Sequence, residues 1–172
     1  MSTHASMTTT AKTGYAAPAP SAGEFSDVRI GILATQWNLE VVDRLVQGAR
    51  ECLAAWAVGA VDERRAPGAY ELPLAAARML DGGRYDAVIA LGAVIRGDTP
   101  HFEFVAGECA RGLMDVQLRY GKPVAFGVLT VNNDAQAIER AQPGPANKGY
   151  EAAAAVLDMI RLIRALAPGA AP

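Results

Sequence analysis

The chain has 172 residues, 51% of them apolar and 20% charged, with a net charge of −2. That length accommodates one domain with a proper core and little more. The near-neutral balance gives no reason to expect nucleic acid or an anionic membrane as partner, so anion handling must be local.

Cys52 and Cys109 lie far apart, each within a helical pattern, and read as small buried hydrophobes. No Cys/His spacing fits zinc or a redox pair. The longest apolar run, Ala87 to Ile95, is far short of the roughly 20 residues a membrane span needs. The N-terminus lacks the pattern of a signal peptide. A cytoplasmic protein without membrane contact is expected.

Residues 1–24 are rich in Ser, Thr, Ala, Pro and Gly. They hold too little apolar surface to offset ordering entropy and read as a disordered tail. The folded domain is expected over 25–167, with a loose end at 168–172.

Val28–Ala34 reads as the first strand, and its continuous apolar second half fits burial on both faces. After Thr35-Gln-Trp-Asn38, with Asn38 a plausible cap, apolar residues from Leu39 to Trp56 mark one helix face. Ala60–Arg65 sits where a strand is needed yet is highly charged, which fits a sheet edge. Ala66–Pro73 leads into a second helix that stops at Asp81-Gly-Gly83.

Tyr85–Leu91 reads as the third strand, and Arg96-Gly-Asp-Thr99 then turns the chain into a helix over Pro100–Tyr120. Thr99 is the expected N-cap, and Pro100 suits the first helical position. Free N–H groups and the positive end of the helix dipole would meet at this turn, making an anion site. His101 lies in the helix's first turn. Val124–Leu129 reads as the fourth strand, Asn132 or Asn133 caps a short helix to about Ala141, and Asn147 caps a last helix through Leu166.

Alternating strands and helices predict an α/β fold: a three-layer α/β/α sandwich around a four-stranded parallel, flavodoxin-like sheet of order 2-1-3-4. The loops at the carboxyl ends of its strands share one rim, where ligands bind. That rim collects Trp37, Asn38, Tyr70, Glu71, the Ala93–His101 turn and Thr130–Asn133. Trp37 reads either as a cap on the first helix's core or as a stacking face for a planar ligand. His101 reads either as a hydrogen-bonded helix-start residue or as a proton-transfer group. Arg140 would ordinarily be solvated. The carboxylate of Asp98 would repel a bound phosphate, so its backbone N–H is the better ligand. No nucleophile elbow, dinucleotide-binding glycine pattern or metal-ligand spacing is present. The residues alone imply a site for a planar phosphorylated or polyhydroxylated ligand.

Gly68-Ala-Tyr-Glu-Leu-Pro73, Leu91-Gly-Ala-Val-Ile-Arg-Gly-Asp-Thr-Pro-His101, Phe126-Gly-Val-Leu-Thr130, Gln136-Ala-Ile-Glu-Arg140 and Asn147-Lys-Gly149 carry a resemblance. In order and spacing they resemble the lumazine synthase (6,7-dimethyl-8-ribityllumazine synthase) family from about Val28 to Leu166. The resemblance implies condensation of 5-amino-6-(D-ribitylamino)uracil with 3,4-dihydroxy-2-butanone 4-phosphate, releasing phosphate and water, the penultimate step of riboflavin biosynthesis. It implies no metal or organic cofactor, and a homo-oligomer with active sites between subunits: a pentamer or a capsid of twelve pentamers.

By resemblance, Trp37 stacks on the pyrimidine, and Ala69, Tyr70 and Glu71 hold the ribityl chain. Ala93, Val94 and Ile95 present backbone groups to the pyrimidine edge. Asp98 and Thr99 bind phosphate, and His101 transfers protons. Phe126 and Arg140 come from the adjacent subunit, the first against the ring and the second on the phosphate. Asn38 and Lys148 are secondary candidates.

Many members have Phe where Trp37 stands, which keeps the stacking face. The bend at Gln142–Ala146 bears on capsid formation in the family, and its two prolines leave that outcome open. Two rivals share the fold: a non-catalytic flavin- or lumazine-binding protein, and a small pentameric riboflavin synthase. Neither has a phosphate to hold, which disfavours both.

Overall fold

The computed structural model describes residues 16–169. Its elements run β1 (Arg29–Thr35), α1 (Leu39–Ala55), β2 (Ala60–Ala66), a 3-10 turn (Ala69–Glu71), α2 (Leu72–Asp81), β3 (Ala87–Ile95), α3 (His101–Tyr120), β4 (Val124–Val131), α4 (Asp134–Arg140) and α5 (Lys148–Ala165). All strand pairings are parallel and the order is β2-β1-β3-β4, as expected.

Alternate residues of the central strands enter two cores. Ile30, Ile32, Ile89 and Leu91 pack with α1, α4 and α5, whereas Leu33, Val88 and Ala90 pack with α2 and α3. This double burial explains the unbroken apolar runs of β1 and β3. Both cysteines are buried within these cores. Burial raises each thiol to about 12, so neither is a nucleophile at neutral pH.

The charges of β2 find partners along the sheet edge. Glu63 pairs with Arg50 and Arg65, Arg65 also reaches Asp43 at 2.8 Å, and Asp62 meets Arg84 at 2.9 Å. Partly exposed pairs like these contribute at most about 1 kcal/mol each. Their clearer effect is to blunt the edge against further strand pairing.

β3 differs from expectation. It starts two residues later than Tyr85 and runs to Ile95, because β4 also continues, to Val131, and pairs with it through Gly92↔Val128 and Ile95↔Val131. Gly92 is therefore a strand residue, not part of a turn. A Cβ there would lie 3.1 Å from Thr35 Cγ2, so the glycine admits a buried threonine from β1. The turn before α3 shrinks to five residues, 96–100.

The helix starts match expectation only in part. Asn133 caps α4 by accepting from Gln136 N at 3.0 Å, and Asn147 caps α5 by accepting from Gly149 N and Tyr150 N. The Nδ2 of Asn147, which is buried, donates to Arg44 O and Ala141 O, both at 3.1 Å, tying α1 to the end of α4. Thr99, in contrast, does not cap α3. Pro100 (φ −65) occupies the flanking position with no side-chain cap, and His101 is the first helical residue.

Of the tail expected over 1–24, residues 1–15 lie outside the described residues, as do residues 170–172 of the loose end. Ala17 packs against the core, and Glu24 accepts from Arg161 Nε at 2.6 Å, so packing reaches back before Phe25. Phe25 is fully buried against Trp56, with ring centroids 5.7 Å apart, and Arg161 lies over both rings. The hydrogen bonds from Arg161 hold the Glu24 carboxyl below the usual carboxylate range. Stabilisation from this pair is complete above the unfolded carboxyl's value and is lost as pH falls through the lower folded value. Glu24→Gln should therefore lower the Tm at neutral pH, with the gap to wild type narrowing below about pH 4. Thermal melts across pH check this; a constant gap would contradict it.

Candidate active site

The carboxyl ends of β1, β3 and the loop after β2 enclose a recess of about 590 Å³. The first wall is the β1–α1 loop. Trp37 is 72% exposed and lines the recess, so it is no cap on the helix core. Asn38 holds the left-handed conformation (φ 56) at the start of α1, but its side chain does not cap the helix. Instead its Nδ2 donates to Ala93 O at 2.8 Å, fixing the Trp37 loop to the end of β3.

The second wall is the 3-10 turn, which brings Ala69, Tyr70 and Glu71 to the recess. Ala69 is buried, whereas Tyr70 and Glu71 are exposed. Gly68 seats this turn against the first wall. A Cβ there would stand 3.1 Å from both Trp37 Cδ1 and Glu71 Oε2. Both neighbours are exposed and can shift, so Gly68→Ala should fold normally while displacing two ligand-facing groups. A several-fold rise in the KM for the pyrimidine substrate, with an unchanged Tm, is expected from such misplacement. Steady-state kinetics check it.

The floor and far wall come from Ala93, Val94 and Ile95 at the end of β3, followed by Gly97, Thr99 and His101. Gly97, Asp98, Thr99 and His101 are all exposed. The open N–H groups of the first turn and the dipole of a 20-residue helix point from the start of α3. Phe102, Phe104 and Val105 of α3 complete the lining, and none of the three was among the expected site residues. Thr35, the buried last residue of β1, was also overlooked. Its position at a strand's carboxyl end was the available signal.

The structure does not bring Phe126, Arg140 and Lys148 to this recess. They line a second one, of about 460 Å³, formed by β4, α4 and α5. Phe126 is 46% exposed on the outer strand. Arg140 Nη1 donates to Gln136 O at 3.0 Å, and Lys148 pairs with Glu151 at 2.6 Å. The first recess is lined by no lysine or arginine, and the second has both. One recess thus holds the ring platform and the histidine, and the other holds the cations.

Among the described residues, no group of His, Cys, Asp and Glu is arranged to hold a metal ion, and no helix is long and apolar enough to cross a membrane. Comparison with known proteins decides between chemistries that such a recess could serve. Residues 27–164 match the family model of 6,7-dimethyl-8-ribityllumazine synthase. The chain belongs to this family.

A 6,7-dimethyl-8-ribityllumazine synthase from Helicobacter hepaticus is 46% identical over 140 residues, covering 80% of this chain and 90% of that protein. One from Nitratidesulfovibrio vulgaris is 50% identical over 141 residues, covering 81% and 90%. As a lumazine synthase the chain is a transferase of riboflavin biosynthesis.

Proposed function

We propose that the first recess binds 5-amino-6-(D-ribitylamino)uracil and that the condensation with 3,4-dihydroxy-2-butanone 4-phosphate takes place there. Trp37 offers the pyrimidine a flat apolar face. Glu71 accepts hydrogen bonds from the ribityl hydroxyls beside Ala69 and Tyr70, and the end of β3 presents backbone groups to the ring edge. Phosphate lies at the turn before α3, held by the N–H groups of Asp98 and Thr99 and by the Thr99 hydroxyl. The Asp98 carboxylate turns away from it.

The uracil's amine attacks the ketone and the carbinolamine loses water to give an imine. Phosphate leaves by β-elimination, the resulting enol becomes a ketone, and the second nitrogen closes onto that carbonyl with loss of a second water. Each step moves protons, and none requires an enzyme nucleophile. Holding both reactants in one recess supplies most of the acceleration. His101, at the end of the phosphate turn, carries protons to and from the reacting atoms.

The working enzyme is a homo-oligomer in which the second recess of one subunit covers the first recess of the next. Phe126 then closes over the ring, and Arg140, with Lys148 nearby, clamps the phosphate. The separation of platform from cations supports this reading, because a site for a phosphorylated substrate is otherwise left without a cation. Exposed Phe104, Met114 and Leu118 on α3 and Leu74 on α2 add apolar surface that assembly would cover. The oligomer is built of pentamers in the cytoplasm, and light scattering separates single pentamers from capsids of twelve.

The single observation carrying the function is the recess that joins Trp37, Glu71 and the phosphate turn to His101. Mixing the protein with both substrates tests it. Lumazine fluorescence should rise in step with phosphate release. Product without phosphate, or no product from active substrates, would contradict it.

A further inference from the structure

Arg96 is the first residue after β3, and its backbone N–H donates to Val131 O at 2.9 Å. Its position in the phosphate turn invites the assumption that it is itself an anion ligand. The side chain is committed elsewhere. Nη1 pairs with Glu103 in the first turn of α3, Nε donates to Asn132 Oδ1 at 3.3 Å, and the guanidinium lies 4.3 Å from the Phe102 ring centroid. Arg96 does not line the recess, although Gly97 beside it does. The Arg96 hydrogen bond holds the Glu103 carboxyl below the usual carboxylate range, in keeping with a formed pair.

The contacts continue beyond Asn132. Its backbone N–H donates to Gln136 Oε1 at 2.9 Å, Gln136 N donates to Asn133 Oδ1 at 3.0 Å, and Gln136 O accepts from Arg140 Nη1 at 3.0 Å. An unbroken series of polar contacts therefore joins the turn that carries His101 to the guanidinium of Arg140. A planar fork suits this task, since it can hold a carboxylate and an amide oxygen at once while stacking on a ring.

We propose that Arg96 is a positioning residue with two arms: through Glu103 it sets the first turn of α3, which carries His101, and through Asn132 it sets the pose of Arg140. The inference rests on the reading above in which Arg140 clamps the phosphate of the neighbouring site. One residue would then shape two sites, the one in its own subunit and the one that its Arg140 completes.

Steady-state kinetics of the full enzyme, with each substrate varied in turn, test this on Arg96→Ala, Glu103→Ala, their double variant, Asn132→Ala and Arg140→Ala. Displacement of about an ångström costs up to roughly a hundredfold, so Arg96→Ala should raise the KM for the butanone phosphate about tenfold and lower kcat. The KM for the pyrimidine should stay within about twofold, a split that general loosening would not produce. Glu103→Ala should change kcat in the same direction, and the double variant should be no worse than the poorer single one. Asn132→Ala is an exposed change that cuts one arm only, so it should raise the butanone phosphate KM and leave kcat near wild type.

A fall in that KM in Glu103→Ala would mean that freed Arg96 binds phosphate directly, and would overturn the proposal. Additive single effects, or equal rises in both KM values, would overturn it too. A raised KM in Arg140→Ala with wild-type values in Arg96→Ala and Asn132→Ala defeats the inference and leaves the clamp standing. An unchanged KM in Arg140→Ala defeats the clamp itself, and the Arg140 arm with it.

Discussion

Arg140→Ala is expected to raise the KM for 3,4-dihydroxy-2-butanone 4-phosphate by roughly tenfold to a hundredfold, the effect of losing a hydrogen-bonded charge. The KM for the pyrimidine should hardly move. The asymmetry follows from chemistry: only one of the two substrates carries a phosphate, and the first recess is lined by no guanidinium or ammonium group of its own. Arg140 lies on the short helix α4, where its own Nη1 bond to Gln136 O and its contact with Glu139 leave the fold independent of it. Thermal stability should therefore match wild type. Kinetics with each substrate varied separately check the prediction. A selective loss of pyrimidine affinity would reverse the assignment of the two recesses.

His101→Ala is expected to lower kcat by about 10²–10⁴-fold, the usual contribution of one positioned acid–base group. Turnover should not vanish, because the juxtaposition of amine and ketone survives the substitution. His101 is exposed at the first position of α3, and no side-chain cap depends on it, so folding should be unaffected. Single-turnover measurements separate the chemical step from product release. Complete loss of activity in a folded variant would mean that the imidazole does more than move protons.

Local signals made most of the fold legible. Continuous apolar strands announced the double burial of β1 and β3, and the charges of Asp62–Arg65 announced an edge. The Asn132-Asn133 pair and Asn147 declared two helix starts, since a cap is settled by residues within one turn of it. What could not be read depended on partners distant in sequence. The length of β3 is set by its pairing with β4, which begins at Val124, 29 residues after Ile95. Asn38 looked like a cap, but its amide is taken by Ala93, 55 residues away.

The site shows the same division. Trp37, Ala69–Glu71, Ala93–Ile95, Thr99 and His101 meet at one recess because the strand order brings their loops to one rim. Asp98 lies in the turn between Gly97 and Thr99. The role of Arg96 was hidden by its surroundings. It was given no role in the sequence, because its partners Glu103 and Asn132 lie 7 and 36 residues away.

In the proposed enzyme the catalytic site is assembled from two subunits, with His101 from one and Arg140 from the next. Complementation tests it most directly. Subunits carrying His101→Ala and subunits carrying Arg140→Ala are co-expressed, purified as mixed oligomers, and assayed at a low concentration of the butanone phosphate. In an evenly mixed ring, roughly a quarter of the interfaces pair an intact first recess with an intact second one. Activity should therefore rise well above that of either parent, toward about a quarter of wild type by the same counting. Mixed oligomers no more active than the average of the two parents would contradict a shared site.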